Sequence, residues 1–117
     1  MIKTGPLAER YAANYLRKKK YQLLDVNYRT RLGEIDLIFK KKNYIVFVEV
    51  KARNENSFAS PKEYVDTEKQ RKIIAASQQY IAYKKCKLQP RYDVVEVCFE
   101  KDKLKSVKHL ENAFTLD

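Results

Sequence analysis

Gly33-Glu34-Ile35-Asp36-Leu37-Ile38 and Val46-Phe47-Val48-Glu49-Val50-Lys51 are the two stretches of sequence that decide the fold. Both are rich in branched and aromatic residues, which favour β-strands. Three charged residues interrupt this apolar pattern, namely Asp36, Glu49 and Lys51. Charged side chains are rarely buried unless they are paired or hold a metal ion. Two carboxylates and a lysine on one hairpin therefore predict a divalent-cation site of the kind that serves phosphodiester cleavage.

The tightest hairpin joins the two strands through a two-residue turn at Lys42-Asn43. In that register Asp36 lies opposite Glu49, and Glu34 lies opposite Lys51. Cross-strand neighbours are about 4.5–5.5 Å apart at Cβ, so one cation could contact both carboxylates. The same face is expected to carry Ile38 with Phe47 and Lys40 with Ile45. The other face is expected to be wholly apolar, pairing Ile35 with Val50, Leu37 with Val48, and Phe39 with Val46.

Length and charge limit the class of protein. The 117 residues suffice for one cored domain, and we expect a single domain over residues 1–117. The 25 Lys and Arg residues outnumber the 15 Asp and Glu residues, which gives a net charge of +10. Such an excess favours nucleic acid as the partner, because phosphate neutralisation supplies much of the affinity. A basic surface that only aids solubility is the alternative.

Several other classes are excluded by composition. No apolar run reaches the roughly 18–20 residues of a membrane span, so we expect a cytoplasmic protein with no membrane partner. His109 is the only histidine, which rules out a three-histidine metal site. Cys86 and Cys98 are interpreted as reduced structural thiols. With only Gly5 and Gly33 present, the chain has no glycine-rich phosphate-binding loop.

The remaining pattern predicts one compact order of helices and strands. The expected elements are a helix from Pro6 to about Lys19, a strand over Tyr21–Tyr28, the hairpin, a polar loop over Asn54–Pro61, a helix that begins at a capping box Thr67–Gln70, a strand over Arg91–Phe99 and a short strand around Leu104–Leu110. Helix, three strands, helix and strand is a mixed α/β order, which predicts a central sheet with helices packed on it.

This pattern resembles the restriction-endonuclease-like nuclease core, also called PD-(D/E)XK, in which an acidic residue on one strand precedes Glu-x-Lys on the next. More narrowly, almost the whole chain resembles the YraN family of small bacterial proteins. The matching stretches beyond the hairpin are Glu9, Ala12-Ala13, Tyr15-Leu16, Asn27-Tyr28-Arg29, Arg53, Lys69-Gln70-Arg71, Arg91-Tyr92-Asp93-Val94 and Asn112-Ala113-Phe114. The proline that often precedes the acidic residue in this nuclease class is Ile35 here.

The resemblance implies a mixed sheet of the nuclease type and a metal site. Asp36 and Glu49 would bind Mg²⁺ or Mn²⁺ together with the backbone carbonyl of Val50. Glu9 on the first helix resembles the helix-borne acid of Holliday junction resolvases, and it would complete the site. A structural salt bridge among the hairpin charges, and an ordinary helix-face position for Glu9, are the alternatives.

The resemblance also implies roles for the residues around the metal. Lys51 would orient the attacking water or stabilise the charge of the transition state. Gln70 would contact the water or the substrate, or else serve only as a capping residue. Glu34 would support the metal site from nearby, or would only pair with Lys51. Four basic residues are expected to contact nucleic acid: Arg29, Arg31, Arg53 and Lys69.

We therefore expect a metal-dependent endonuclease that hydrolyses DNA, with branched and single-stranded DNA both open as substrates. The alternatives are a non-catalytic DNA- or RNA-binding module and an accessory subunit of a DNA repair, recombination or uptake complex. Exposed apolar surface around Phe58 or Ala113-Phe114 would favour the accessory subunit. A twofold homodimer and a protein partner in DNA processing both stay open.

Overall fold

Two helices and five strands make up the described part of the chain, residues 6–54 and 65–115 of a computed structural model. They are α1 (Pro6–Lys18), β1 (Gln22–Arg29), β2 (Glu34–Lys41), β3 (Tyr44–Asn54), α2 (Thr67–Lys84), β4 (Gln89–Glu100) and β5 (Lys103–Phe114). The predicted mixed α/β order is confirmed. The polar loop predicted over Asn54–Pro61 lies outside the described residues, except for Asn54 at the end of β3, and so does Phe58. No helix in the described ranges is long and apolar enough to cross a bilayer.

The five strands form one sheet in the order β1-β2-β3-β4-β5. Neighbouring strands are antiparallel except for β3 and β4, which run parallel. Parallel neighbours cannot be joined by a tight turn and need a crossover, and α2 supplies it between β3 and β4. The predicted central sheet is thus mixed, with an antiparallel hairpin beside a strand–helix–strand unit.

The two helices pack on opposite faces of the sheet, because alternate residues of a strand point to opposite sides. On β3, Ile45 and Phe47 belong to the core beneath α2, whereas Val46 and Val48 belong to the core beneath α1. All four of these side chains are buried. Glu49 follows the same alternation as Phe47, and it therefore lies on the face that α2 covers.

The predicted hairpin register is confirmed over five paired positions, from Leu37 opposite Val48 to Lys41 opposite Tyr44. Lys42 in the turn has a φ of 54°, as tight two-residue hairpin turns require. The prediction that Ile35 shares a face with Leu37 is wrong, because Ile35 packs in the core beneath α2 and Leu37 in the core beneath α1. The strict alternation is lost beyond Leu37, where the β2–β3 pairs end and Asn27 of the adjacent β1 takes a φ of 50°.

The start of α2 differs from the predicted capping box by one residue. Asp66, with an extended backbone, is the N-cap, and its carboxylate accepts a 2.8 Å hydrogen bond from the N–H of Lys69. Thr67 is therefore the first helical residue and not the cap. The side-chain amide of Gln70 donates to the carbonyl of Val65, at 3.0 Å, and does not bond back to a capping residue.

The last strand is longer than predicted and ends in the core. It was expected around Leu104–Leu110, but β5 continues to Phe114. Register shifts in the β4–β5 pair let the strand continue, and the N–H of Asn112 donates to the carboxylate of Asp93 at 2.9 Å. Phe114 is buried and its ring stacks on Tyr92, with 5.3 Å between the ring centroids. Phe114 therefore offers no exposed apolar surface to a partner.

Candidate metal centre

Asp36 lies one residue beyond the last pair of β2 with β3, whereas the pairs of β2 with β1 continue past it. Its Oδ2 accepts a 2.7 Å hydrogen bond from the backbone N–H of Val50. Burial raises the pKa of Asp36 to about 7, and the nearby carboxylate of Glu49 adds to the shift, with a smaller contribution from Glu9. The molecule therefore holds two carboxyl groups side by side although their charges repel.

Glu49 on β3 connects the strand to helix α2 within the site. Its side chain is only 4% exposed, and its Oε2 lies 3.5 Å from the Nζ of Lys51, two residues along β3. The same oxygen forms a second ion pair with the Nζ of Lys69, which reaches it from the first turn of α2. One buried carboxylate thus meets two lysines that come from different elements.

The two lysines respond differently to this shared partner. Burial lowers the pKa of Lys51, and the neighbouring positive charge of Lys69 lowers it further. Burial would also lower the pKa of Lys69, but the hydrogen bond to Glu49, the charge of Glu49 and smaller contributions from Lys51 and Asp36 together raise it. The positive charge of Lys69 is therefore better stabilised than that of Lys51, which is repelled by Lys69.

The position of α2 depends on a close approach by the turn between β1 and β2. A Cβ added to Gly33 would lie 2.5 Å from the carbonyl oxygen of Lys72, closer than real Cβ contacts allow. The turn is itself fixed by Thr30, whose side-chain oxygen accepts from the N–H of Gly33 at 3.1 Å. Glycine at this position lets the β1–β2 turn lie against the α2 backbone at Lys72, which is about one helical turn after Lys69.

A cavity of about 290 Å³ brings most of the predicted site residues together. Its lining consists of Glu9, Asn27, Arg29, Glu34, Asp36, Glu49, Val50, Lys51 and Lys69. Arg29 and Glu34 form an exposed ion pair at 3.5 Å. Of the two alternatives for Glu34, the structure places it at the cavity and pairs it with Arg29 instead of Lys51. Asn27 also lines the cavity, although the sequence suggested no site role for it. Its φ of 50° is unusual within a strand, and one asparagine in the sequence does not predict it.

Three predicted site residues are not brought to this cavity. The Gln70 amide bonds to Val65, and its side chain lines a different cavity. Arg53 lies 3.3 Å from the buried carboxylate of Glu96, which gives it a structural partner. Arg31 is exposed in the turn between β1 and β2.

The donor set fits a hard divalent cation with few protein ligands. Asp36 and Glu49 supply adjacent carboxylates, and the Val50 carbonyl belongs to the residue between Glu49 and Lys51. Among residues 6–54 and 65–115, no three acidic, histidine or cysteine side chains approach closely enough to form a complete cage. Glu9 therefore lines the cavity without joining Asp36 and Glu49 in a three-ligand group. Magnesium accepts such sparse sites because it retains several waters.

A second polar cluster lies where β4 meets β5, and the sequence did not reveal its partners. The fully buried Asp93 accepts hydrogen bonds from Arg91 at 2.8 Å and pairs with His109 Nε2 at 2.7 Å. Arg91 also donates to the hydroxyl of Tyr21, at 2.7 Å, and reaches Glu111. These bonds satisfy the buried charge, and they tie the two strands to the start of β1.

Comparison with known proteins agrees with the resemblance drawn from the sequence. Residues 8–97 match the model of the family described as "Uncharacterised protein family UPF0102", the YraN family. A UPF0102 protein of Caldanaerobacter subterraneus subsp. tengcongensis is 48% identical over 113 residues, covering 94% of this chain and 93% of the relative. A UPF0102 protein of Alkaliphilus oremlandii is 45% identical, covering 96% and 97% respectively. One of Clostridium beijerinckii is 39% identical, covering 97% and 94%. The chain therefore belongs to the UPF0102 family.

Proposed function

We propose that this protein is a divalent-cation-dependent endonuclease that hydrolyses DNA phosphodiester bonds. The observation that carries the proposal is the adjacency of the Asp36 and Glu49 carboxylates in a cavity that also receives Lys51 and Lys69. Acidic ligands for a cation and basic groups for a phosphate are the two components that phosphodiester hydrolysis requires.

A purely structural role explains the cluster poorly. Burial and the charge of Glu49 raise the pKa of Asp36 to about 7, so ionisation of this carboxyl group costs free energy in the folded protein. Replacing buried charges by apolar residues is often neutral or stabilising, so stability gives little reason to retain them. A bound cation would remove the repulsion, because it attracts both carboxylates at once.

Mg²⁺ or Mn²⁺ would be held by Asp36, Glu49 and the carbonyl of Val50. When bound, the cation would acidify a water and neutralise charge on the phosphate oxygens. The Val50 N–H keeps the Asp36 carboxylate turned toward the site, at 2.7 Å from its Oδ2. Glu9 lines the cavity, where its charge would add to the attraction for the cation.

The basic residues of the cavity would bind the substrate. Lys51 and Lys69 both form ion pairs with Oε2 of Glu49. A phosphate group bound in the cavity would compete with Glu49 for one or both ammonium groups. Their ammonium groups would then stabilise the negative charge that grows on the phosphate in the transition state. Exposed Arg29 at the cavity, and Arg31 in the next turn, would contact the flanking phosphates.

Charge and topology support the same function. The net charge of +10 suits a polyanion, and it would draw DNA to the surface through phosphate neutralisation. The helix, three-strand, helix, strand order and the placement of Asp36 and Glu49 on adjacent strands resemble the restriction-endonuclease-like nucleases. Resolvases of Holliday junctions belong to that class, which makes branched DNA a first substrate to test.

The proposal is tested by incubating the protein with labelled single-stranded, duplex, flap and four-way-junction DNA. Each reaction is run with Mg²⁺, with Mn²⁺ and with EDTA, beside the Asp36→Asn variant. We expect metal-dependent cutting of at least one substrate, lost in EDTA and in Asp36→Asn. Salt-sensitive binding of every DNA without any cutting would overturn the nuclease and would favour a binding module or a subunit that needs a partner.

A further inference from the structure

The first turn of α2 carries a lysine at the end of a helix where a positive charge is normally disfavoured. Lys69 is the third residue of the helix, whose N-terminal end carries a partial positive charge that repels cations. Lys51 adds a second positive charge nearby, and it interacts with Lys69. Lys69 is held there by its ion pair with the buried Glu49, the residue proposed as a metal ligand.

The backbone that carries Lys69 is fixed, whereas its side chain has room to move. The N–H of Lys69 bonds to the Asp66 carboxylate at 2.8 Å, and α2 rests against Gly33 one turn further on. The Lys69 side chain is 42% exposed at the cavity, against 4% for Glu49. A lysine on four methylene groups can turn from Glu49 toward solvent without moving the helix.

We propose that Lys69 is a tethered counter-cation, which holds Glu49 while no metal is bound and must leave it when a divalent cation binds. The inference rests on the proposed function for the identity of the cation. We call the displacement of Lys69 from Glu49 by the cation the gate. Lys51 already shares Oε2 of Glu49 with Lys69, so a divalent cation bound by this carboxylate would meet the positive charge of Lys69 at short range and repel it. Once displaced, the Lys69 ammonium is left at the mouth of the cavity, where a DNA phosphate can take the place of Glu49.

The gate predicts that removing the Lys69 charge strengthens metal binding. We would titrate Mn²⁺ into DNA-free protein by calorimetry, comparing wild type with Lys69→Met, which keeps most of the side-chain length. Loss of the competing cation should tighten Mn²⁺ binding by about tenfold. Lys69→Arg keeps a competing cation and should stay within about threefold of wild type. Lys72→Met is the matched control, because it removes an exposed charge from the same helix, and its affinity should also stay near the wild-type value.

Thermal unfolding supplies a second readout that does not depend on DNA. Mn²⁺ should raise the melting temperature of Lys69→Met by more than that of wild type, since ligand stabilisation follows the ratio of concentration to Kd. The melting temperature without metal shows at the same time whether each variant is folded.

The outcomes separate this inference from the proposed nuclease. Tighter Mn²⁺ binding by Lys69→Met, with no protein cutting DNA, would support the gate and overturn the nuclease. Equal or weaker Mn²⁺ binding by folded Lys69→Met, with wild type cutting DNA, would overturn the gate alone. An absence of Mn²⁺ binding in every variant would overturn the gate, since there would be no cation for Lys69 to exclude.

Discussion

The backbone N–H of Val50 donates a 2.7 Å hydrogen bond to Oδ2 of Asp36, at the point where the pairs between β2 and β3 end. The bond connects the Asp36 side chain to the residue that follows Glu49 on β3. It holds the Asp36 carboxyl group beside Glu49, although burial and that neighbour raise its pKa to about 7. This bond thus helps to position the pair of acids on which the proposed function depends.

The raised pKa of Asp36 should make stability depend on pH. Its pKa is about 7 in the folded protein, against 3.8 as the ordinary value, so the folded state holds the proton more tightly. Wild type should therefore lose stability as the pH rises from about 4 to about 7. Asp36→Asn cannot ionise, and its side-chain oxygen can still accept from Val50. In EDTA at pH 8 the variant should be more stable than wild type by about 1–3 kcal/mol.

Urea unfolding of both proteins between pH 4.5 and pH 8 measures this difference. The advantage of Asp36→Asn over wild type should grow with pH and level off above pH 7. An advantage that shrinks as the pH rises would contradict the assigned direction of the pKa shift.

Gly33→Ala should destabilise the protein by forcing α2 away from the turn. The added methyl group would lie 2.5 Å from the Lys72 carbonyl oxygen, so the helix or the turn has to shift. Overpacking of this kind costs about 1–3 kcal/mol, which chemical denaturation can measure. Leu32→Ala in the same turn is the control, because Leu32 is 49% exposed and its change should cost well under half as much. Equal effects of the two substitutions would refute the close-packing account.

Asp66→Ala should cost more stability than Thr67→Ala. The Asp66 carboxylate accepts from the Lys69 N–H at 2.8 Å, and losing such a cap costs about 0.5–2 kcal/mol. Thr67 is the first helical residue and does not serve as the cap, so its replacement should have a smaller effect. Thermal unfolding of the two variants decides between the observed cap and the capping box expected from sequence. A larger loss for Thr67→Ala would favour the capping box.

Arg53 and Arg31 should behave differently although both were expected to contact nucleic acid. Arg53→Met leaves the buried Glu96 without its 3.3 Å ion pair, which should destabilise the fold by about 1–3 kcal/mol. Arg31→Met alters an exposed turn residue, so stability should change by less than about 0.5 kcal/mol. If Arg31 contacts a phosphate, its loss should reduce the salt dependence of DNA binding by about one charge. Unchanged stability in Arg53→Met would show that its pairing with Glu96 contributes little.

The hairpin was predictable because its chemistry is local. The turn at Lys42-Asn43 sets the register, and apolar residues on alternate positions then fix which side chains share a face. Asp36 and Glu49 come together for this reason. Ile35 departs from the pattern because the alternation fails beyond the last β2–β3 pair, and no residue type in the sequence marks that change.

The helix contribution to the site could not be predicted from local pattern. Lys69 and Gln70 are adjacent in sequence, and which of them reaches Glu49 depends on the rotation of α2 over the sheet. The close approach of α2 to Gly33 constrains that rotation, and this contact joins residues that are far apart in the sequence. The resemblance implied a contact of Gln70 with the water or the substrate, with a capping role as the alternative, whereas the structure brings Lys69 to Glu49 and bonds Gln70 to Val65.

The most direct test of the proposed nuclease is single-turnover cleavage of labelled DNA in Mn²⁺ by wild type and Glu49→Gln. Glu68→Gln is the matched control, because it removes an exposed carboxylate from α2. We predict that wild type and Glu68→Gln cut at similar rates, and that Glu49→Gln cuts at least about 100-fold more slowly while it stays folded. Equal cutting by Glu49→Gln and wild type would contradict the account, since a metal site without Glu49 would then suffice.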